Sequence, residues 1–166
     1  AFLESLEEAA AWADSILIGP GIGMGETAGE LLKFAVQESD LPLVIDADGL
    51  NLLARDCGLQ RILAEKGAQG RAIILTPHLG EFARLYDCST AQAKAGLTDY
   101  PRRLGDRLGS VIVCKDARTV VVQCKGLQGY INTTGNAGMA TAGSGDVLAG
   151  MITGFLAQGM PGMDAA

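Results

Sequence analysis

Leu43-Val44-Ile45-Asp46-Ala47-Asp48-Gly49-Leu50-Asn51 passes within a few residues from an unbroken apolar run to two carboxylates, a glycine and an amide. A run of Leu, Val and Ile with no polar alternation is what a strand covered on both faces requires. Similar runs occur at 15–19, 72–75 and 111–114, separated by amphipathic segments. That alternation defines an α/β fold, with a mostly parallel central sheet and helices on its faces. Segments 119–123 and 129–132 predict a late antiparallel pair that turns at Lys125-Gly126. Helices are predicted over 2–13, 27–37, 58–66, 80–86, 101–108 and 145–158. In the last of these Val147, Leu148, Met151, Ile152, Phe155 and Leu156 are expected on one face, with Gly150 and Gly154 allowing close packing.

The 166 residues, 48% of them hydrophobic, suffice for one domain with a real core, and no linker or repeat interrupts 1–166. A formal charge of −6 argues against nucleic acid or an anionic membrane surface as partner. No apolar run approaches the roughly 20 residues of a membrane span. The opening segment carries Glu4, Glu7 and Glu8 and no basic signal-peptide region. Cys57, Cys88, Cys114 and Cys124 form no C-x-x-C pair, and His78 is the single histidine. No protein-built metal site is expected, and four reduced thiols in a cytoplasmic protein is the simplest account. The chain has no initiator Met, opens directly into helix and stops where another helix begins after Pro161. Truncation at both ends is therefore expected.

In an open parallel sheet, ligands sit beyond the carboxyl ends of the strands. The chemically interesting residues cluster there. Ile18-Gly19-Pro20-Gly21-Ile22-Gly23-Met24-Gly25 reads as a loop whose backbone approaches a ligand closely, or as a structural tight turn. A dinucleotide fingerprint would open directly after the strand, and here Pro20 and Gly21 intervene; no Gly-Lys-Ser/Thr exists for a P-loop. Asp46 could hold a substrate hydroxyl or a metal-bound water, and Asn51 could cap or hydrogen-bond nearby; ordinary helix capping by Asp48 is the rival reading. In Thr76-Pro77-His78-Leu79-Gly80-Glu81, His78 belongs at the rim, where its imidazole meets a substrate or is a bystander. Lys115-Asp116-Ala117-Arg118-Thr119 offers two cations and a hydroxyl to nucleotide phosphate or ribose oxygens, unless it is a charged hairpin edge.

Gly135-Asn136-Ala137-Gly138-Met139-Ala140-Thr141-Ala142-Gly143-Ser144-Gly145-Asp146 places four glycines and one carboxylate at the start of the last helix. A helix start presents unpaired N–H groups and the positive end of a dipole, which suits a phosphate. Asn136, Gly143, Ser144 and Gly145 are the nucleotide-side candidates of this stretch. Asp146 would repel a merely bound phosphate, so a base is suggested, against the alternative of a carboxylate that only complements the helix dipole.

Five blocks in this order resemble the ADP- or ATP-dependent NAD(P)H-hydrate dehydratases: residues 18–23, 44–51, 75–81, 115–119 and 132–150. The resemblance implies a three-layer ribokinase-like sandwich, here a single partial domain over 1–166. It implies repair of hydrated NADH or NADPH: a nucleotide phosphoryl group goes to the ring hydroxyl, and phosphate leaves to restore the double bond. Carried over, Gly23, His78 and Asp146 match positions that contact the hydrated dinucleotide, with Asp146 the base; Asp46 and Asn51 join them as substrate-side candidates. Lys115, Asp116, Ala117, Arg118, Thr119 and Gly145 match the adenine-nucleotide side. Mg²⁺ is expected with the phosphates, ADP or ATP as co-substrate, and a homo-oligomer, fused to or paired with an NAD(P)H-hydrate epimerase, as the assembly. The wording Ala-Gly-Ser-Gly-Asp-Val-Leu looks like the bacterial, ADP-using branch. A small-molecule kinase of the same fold and a non-catalytic nucleotide-binding fragment remain as alternatives.

Overall fold

Six strands lie side by side in chain order: β1 (Ile16–Ile18), β2 (Leu43–Ile45), β3 (Ile73–Leu75), β4 (Val111–Cys114), β5 (Val120–Val122) and β6 (Gly129–Ile131). The first four are parallel, in a register that aligns Ile16 with Leu43 and Leu43 with Ile73; β5 and β6 run antiparallel. All six fall where the apolar runs predict them. The computed structural model describes residues 2–126 and 129–166, so Ala1, at the edge of the expected 1–166 domain, lies outside the described residues.

Nine α-helices are described: α1 (Phe2–Trp12), α2 (Glu26–Lys33), α3 (Ala47–Ala54), α4 (Cys57–Ala68), α5 (Leu79–Tyr86), α6 (Thr90–Ala95), α7 (Tyr100–Leu108), α8 (Ser144–Ala157) and α9 (Gly162–Ala165). The two-residue period of the strands divides the core into two layers. Leu43, Ile45, Ile73 and Leu75 face one way and pack with residues of α2 to α7, among them Leu32, Leu53, Leu63, Phe82 and Leu104. Val44, Ile74, Val113 and Val121 face the other way, against Ala149, Ile152 and Leu156 of α8 and Ala165 of α9. The result is three layers: helices, sheet, helices.

Where the helices differ from expectation, a local cause is visible. The predicted helix over 27–37 is α2 continued by a π-helical turn, Phe34–Glu38. Such a turn misaligns carbonyls that an α-helix would pair. Arg71 supplies the missing donors, reaching the carbonyls of Ala35 at 2.7 Å, Val36 at 3.0 Å and Leu41 at 2.7 Å. Burial lowers the guanidinium pKa from its ordinary value, yet an Arg remains charged. In α8 the expected single apolar face is corrected: Ala149, Ile152 and Leu156 are buried, whereas Val147, Met151 and Phe155 are exposed. The helix is apolar nearly all round, so composition alone could not orient it. Gly150 and Gly154 face open space and serve no close packing among the described residues.

Arg71→Ala should cost about 2–3 kcal/mol, since three carbonyls lose a charged donor, while Arg71→Lys should recover part of that loss. Urea denaturation monitored by circular dichroism reads both values.

Candidate active site

Strand order brings the ends of β1 to β4 to one edge, and the loops leaving them are stitched together. The loop after β1 is held by glycines with left-handed backbone: Gly19 at φ 130°, Gly21 at φ 68° and Gly23 at φ 76°. The Gly23 amide donates to Asp48 Oδ2 at 3.0 Å, tying this loop to the first turn of α3. Asp48 thus bridges two loops and is not the cap of the helix; Asp46 takes the cap position, without a side-chain cap bond. Neither arrangement follows from the local sequence, because it depends on where β1 and β2 sit relative to one another.

Asp46 is 2% exposed. Its Oδ1 lies 2.8 Å from Nζ of Lys115, which stands just beyond β4 and whose side chain is 21% exposed. A buried carboxylate needs such a partner. Between them, the loop after β3 is zipped to Lys115, whose amide donates to the Pro77 carbonyl at 2.7 Å in a parallel bridge between His78 and Lys115.

His78 begins α5 as its cap. Nδ1 accepts from the amides of Gly80 at 2.9 Å and Glu81 at 3.4 Å, while Glu81 Oε2 accepts from the His78 amide at 2.8 Å. This reciprocal box is a local interaction. Since Nδ1 accepts, the ring proton sits on Nε2, which lies 3.2 Å from Glu81 Oε1. The His78 side chain is 55% exposed, so it stands at the rim as the loop chemistry predicts. Glu81 is the functional-site candidate that sequence reasoning missed. It is buried, and that burial pushes its carboxyl up, opposed first by the hydrogen bond from the His78 amide and then by the electrostatic pull of His78 and Lys115, while Asp46 adds to the rise. The signal was present in sequence as His78-x-x-Glu81, a cap followed three residues later by an acid. Asn51 accepts from Arg84 Nε at 2.8 Å, which places its carbonyl toward α5.

The start of α8 completes the rim. A Cβ built on Gly145 would lie 3.4 Å from Lys115 Nζ and 3.9 Å from Asp46 Oδ2, so this helix start is seated on the ion pair. Gly143 precedes it with φ 84°. The Ser144 amide donates to the Thr141 carbonyl, and that of Val147 to Gly143, whereas Gly145 and Asp146 lie between these with no described backbone acceptor. The Asp146 residue is exposed. Asp116, Ala117, Arg118 and Thr119 form the β4–β5 turn beside Lys115, with Arg118 and Ala117 exposed. Asn136 stands apart in the exposed stretch 133–143, its Oδ1 accepting from Gly138 at 2.9 Å. Cys114, next to Lys115, is no nucleophile: burial pushes its thiol up to about 12.

A sequential, largely parallel sheet sandwiched by helices, with polar residues at the strand ends under a glycine-started helix, marks a ribokinase-like α/β protein. A ribokinase-like superfamily protein from Enterococcus faecalis V583 superposes with a TM-score of 0.76 at 34% identity, covering 94% of this chain and 51% of that one. A sequence model of the NAD(P)H-hydrate dehydratases matches residues 2–166, and the chain belongs to that family. It is 41% identical over 152 residues to the ADP-dependent (S)-NAD(P)H-hydrate dehydratase of Neisseria meningitidis serogroup B, which covers 90% of this chain and 49% of the relative. The ADP/ATP-dependent NAD(P)H-hydrate dehydratase of Bacillus subtilis, co-crystallised with ATP/Mg²⁺, superposes with a TM-score of 0.69 at 31% identity, over 90% of this chain and 51% of that one. The chain thus spans about half the length of these relatives. No described helix is long and apolar enough to cross a membrane.

The raised pKa of Glu81 has a measurable sign. A carboxyl that is easier to protonate folded than unfolded weakens the fold as pH rises above its unfolded value of about 4.3. The stability of Glu81→Gln relative to the parent chain should therefore increase with pH from there through the raised folded value and then level. Urea titrations across a pH series test this; a difference that falls with pH, or does not change, contradicts it.

Proposed function

We propose that the protein is a nucleotide-dependent dehydratase of hydrated NADH and NADPH, working with ADP as the bacterial branch does. The observation that carries this reading is the start of α8 resting on the Lys115–Asp46 pair, beyond the carboxyl ends of β2 to β4. The amides at Gly145 and Asp146, which have no described backbone acceptor, and the neighbouring ammonium of Lys115 would meet the transferred phosphoryl group and stabilise the charge that develops on its oxygens. Asp146 takes the proton of the ring hydroxyl as its oxygen attacks phosphorus, and the nucleotide departs one phosphate shorter. Phosphate then leaves the ring carbon with the bonding electrons, and loss of a proton restores the double bond. Hydroxide would be a far poorer leaving group, which is the reason to consume a nucleotide at all.

Gly23 and His78 contribute the rim that receives the hydrated ring. Asp46 and Asn51 support it from the walls, through Lys115 and Arg84 respectively. The β4–β5 turn, residues 115–119, takes the nucleotide's phosphate and ribose. A cavity of about 280 Å³ lined by Thr119, Tyr130, Asn132, Leu148 and Met163 lies next to it, with the size and mainly apolar wall that an adenine ring requires. Mg²⁺ would enter on the nucleotide's phosphates and neutralise their charge. Among the described residues no cluster of three or more His, Cys, Asp or Glu could hold a metal ion by itself. Mg²⁺ of this kind rests chiefly on phosphate oxygens and water and needs only one or two protein carboxylates. The same proposal includes a cytoplasmic setting, a homo-oligomer and an NAD(P)H-hydrate epimerase as companion in repair.

The test is recovery of the near-ultraviolet absorbance of reduced nicotinamide from NADH hydrate plus ADP and Mg²⁺. Asp146→Ala should lower that turnover by about 10²-fold or more while leaving ADP affinity nearly unchanged. A fully active Asp146→Ala chain removes the base assignment. Build-up of a stable phosphorylated product, with no absorbance regained, identifies a kinase instead.

A further inference from the structure

We propose that Asp46 is a positioning residue that aims the Lys115 ammonium at a phosphate held by the start of α8; the proposal rests on the nucleotide reading given above. A lysine is a poor fixed charge by itself, because its four-carbon stem is flexible and gives up about 2 kcal/mol of rotamer freedom when ordered. Asp46 removes that flexibility before any ligand arrives. Its carboxylate stands on an unusually constrained piece of backbone. The Asp46 amide donates to the Ile18 carbonyl, its own carbonyl accepts from Gly49, both at 3.0 Å, and the next residue, Ala47, has φ 46°. With Oδ1 only 2.8 Å from Nζ, that rigid mount fixes where the ammonium sits.

The place so fixed is informative. An ammonium carries three donors, and one goes to Asp46. The others have no acceptor among the described hydrogen bonds, and Gly145 stands beside Nζ, where its missing side chain leaves an approach that any Cβ would partly fill. Lys115 is also pinned through its backbone, by the bond to the Pro77 carbonyl. The side chains of Asp46 and Glu81 face it electrostatically from the β2 and β3 loops. Two buried acids near one cation would be a poor anion trap by net charge, so the arrangement works by direction: the Asp46 carboxylate holds the lysine and leaves its other donors to the helix start.

The experiment is a double-mutant cycle read by calorimetric titration with ADP, in magnesium-free buffer so that no ion is lost along with the carboxylate. Asp46→Asn and Lys115→Met should each weaken ADP binding roughly tenfold. The double variant should bind no more weakly than Lys115→Met alone, because Asp46 acts through the lysine. Losses that multiply in the double variant, or an unchanged affinity in either single one, overturn the proposal. Should Asp46→Asn fail to fold, the Lys115 ammonium resonance of the parent chain, assigned by its loss in Lys115→Arg, gives an independent reading. It should be slowly exchanging before ADP is added and shift when it binds; a resonance that ignores ADP overturns the proposal. A purely structural pair would move only the urea midpoint. If the coupling holds and NADH hydrate is still not dehydrated, the reaction proposed above fails while this assignment stands; additive losses in a chain that does dehydrate it give the converse.

Discussion

The backbone of Gly19 lies so close to that of Asp46 that a methyl group on Gly19 would fall 1.7 Å from the Asp46 carbonyl oxygen. No side chain can occupy that position, and φ 130° there is glycine territory. Gly49 closes the contact from the other side, where a Cβ would meet the Ile18 carbonyl at 3.0 Å and the Gly19 Cα at 3.2 Å. This three-way approach presses the loop after β1 onto the start of α3. The Gly23 bond to Asp48, the direction of the Asp46 carboxylate and the span from β2 to β4 follow from it. Neighbouring strands are about 4.8 Å apart, so an acid on one strand end and a base two strands away meet only if one is long. Lys115 provides that length, and Thr76, at the end of the strand between, is small and fully buried.

Electrostatics and packing then pull in opposite directions. Asp46 and Glu81 are both buried at the active edge, where a carboxylate loses hydration. Asp46 is compensated by an ammonium at 2.8 Å, whereas Glu81 is compensated mainly by a backbone amide and a histidine that belongs to its own cap. At Glu81 burial outweighs that compensation and raises the carboxyl. One acid is therefore spent on orienting a cation and the other on fixing a histidine ring. Neither is free to act as a base, which agrees with the proposal that gives that role to the exposed carboxylate of Asp146.

Much of this architecture was legible because each buried strand is a short, continuous run of Ile, Val and Leu, and because its end is marked by Gly, Asp, His or Lys. That the candidate residues gather together was legible for the same reason, since parallel strands in chain order must deliver their ends to one edge. What escaped was set by tertiary neighbours or by signals overlooked. The helix Ala47–Ala54 is not among the predicted helices; it opens directly after β2 through a left-handed Ala47 that no propensity favours. The helix Thr90–Ala95 carries a reciprocal Ser89–Gln92 box that sequence does display and that was passed over. The orientation of α8 was illegible because both of its sides are apolar, and only the sheet decides which one is buried.

Two kinds of element meet at the start of α8, and their difference in rigidity has a physical origin. The acid–lysine side is mounted on strand ends within a fully buried core. The stretch 133–143 that leads into α8 is exposed throughout and satisfies its polar groups locally: Asn132 Oδ1 accepts from Thr134, Asn136 Oδ1 from Gly138, and Ser144 donates to the Thr141 carbonyl. Such self-contained turns cost little to rearrange, because no core contact is broken when they move. A segment of that kind can rearrange without disturbing the residues at the strand ends. One half is fixed by the core and the other is held only by its own turns, and Gly145, which carries no side chain to keep them apart, is the residue at which they touch.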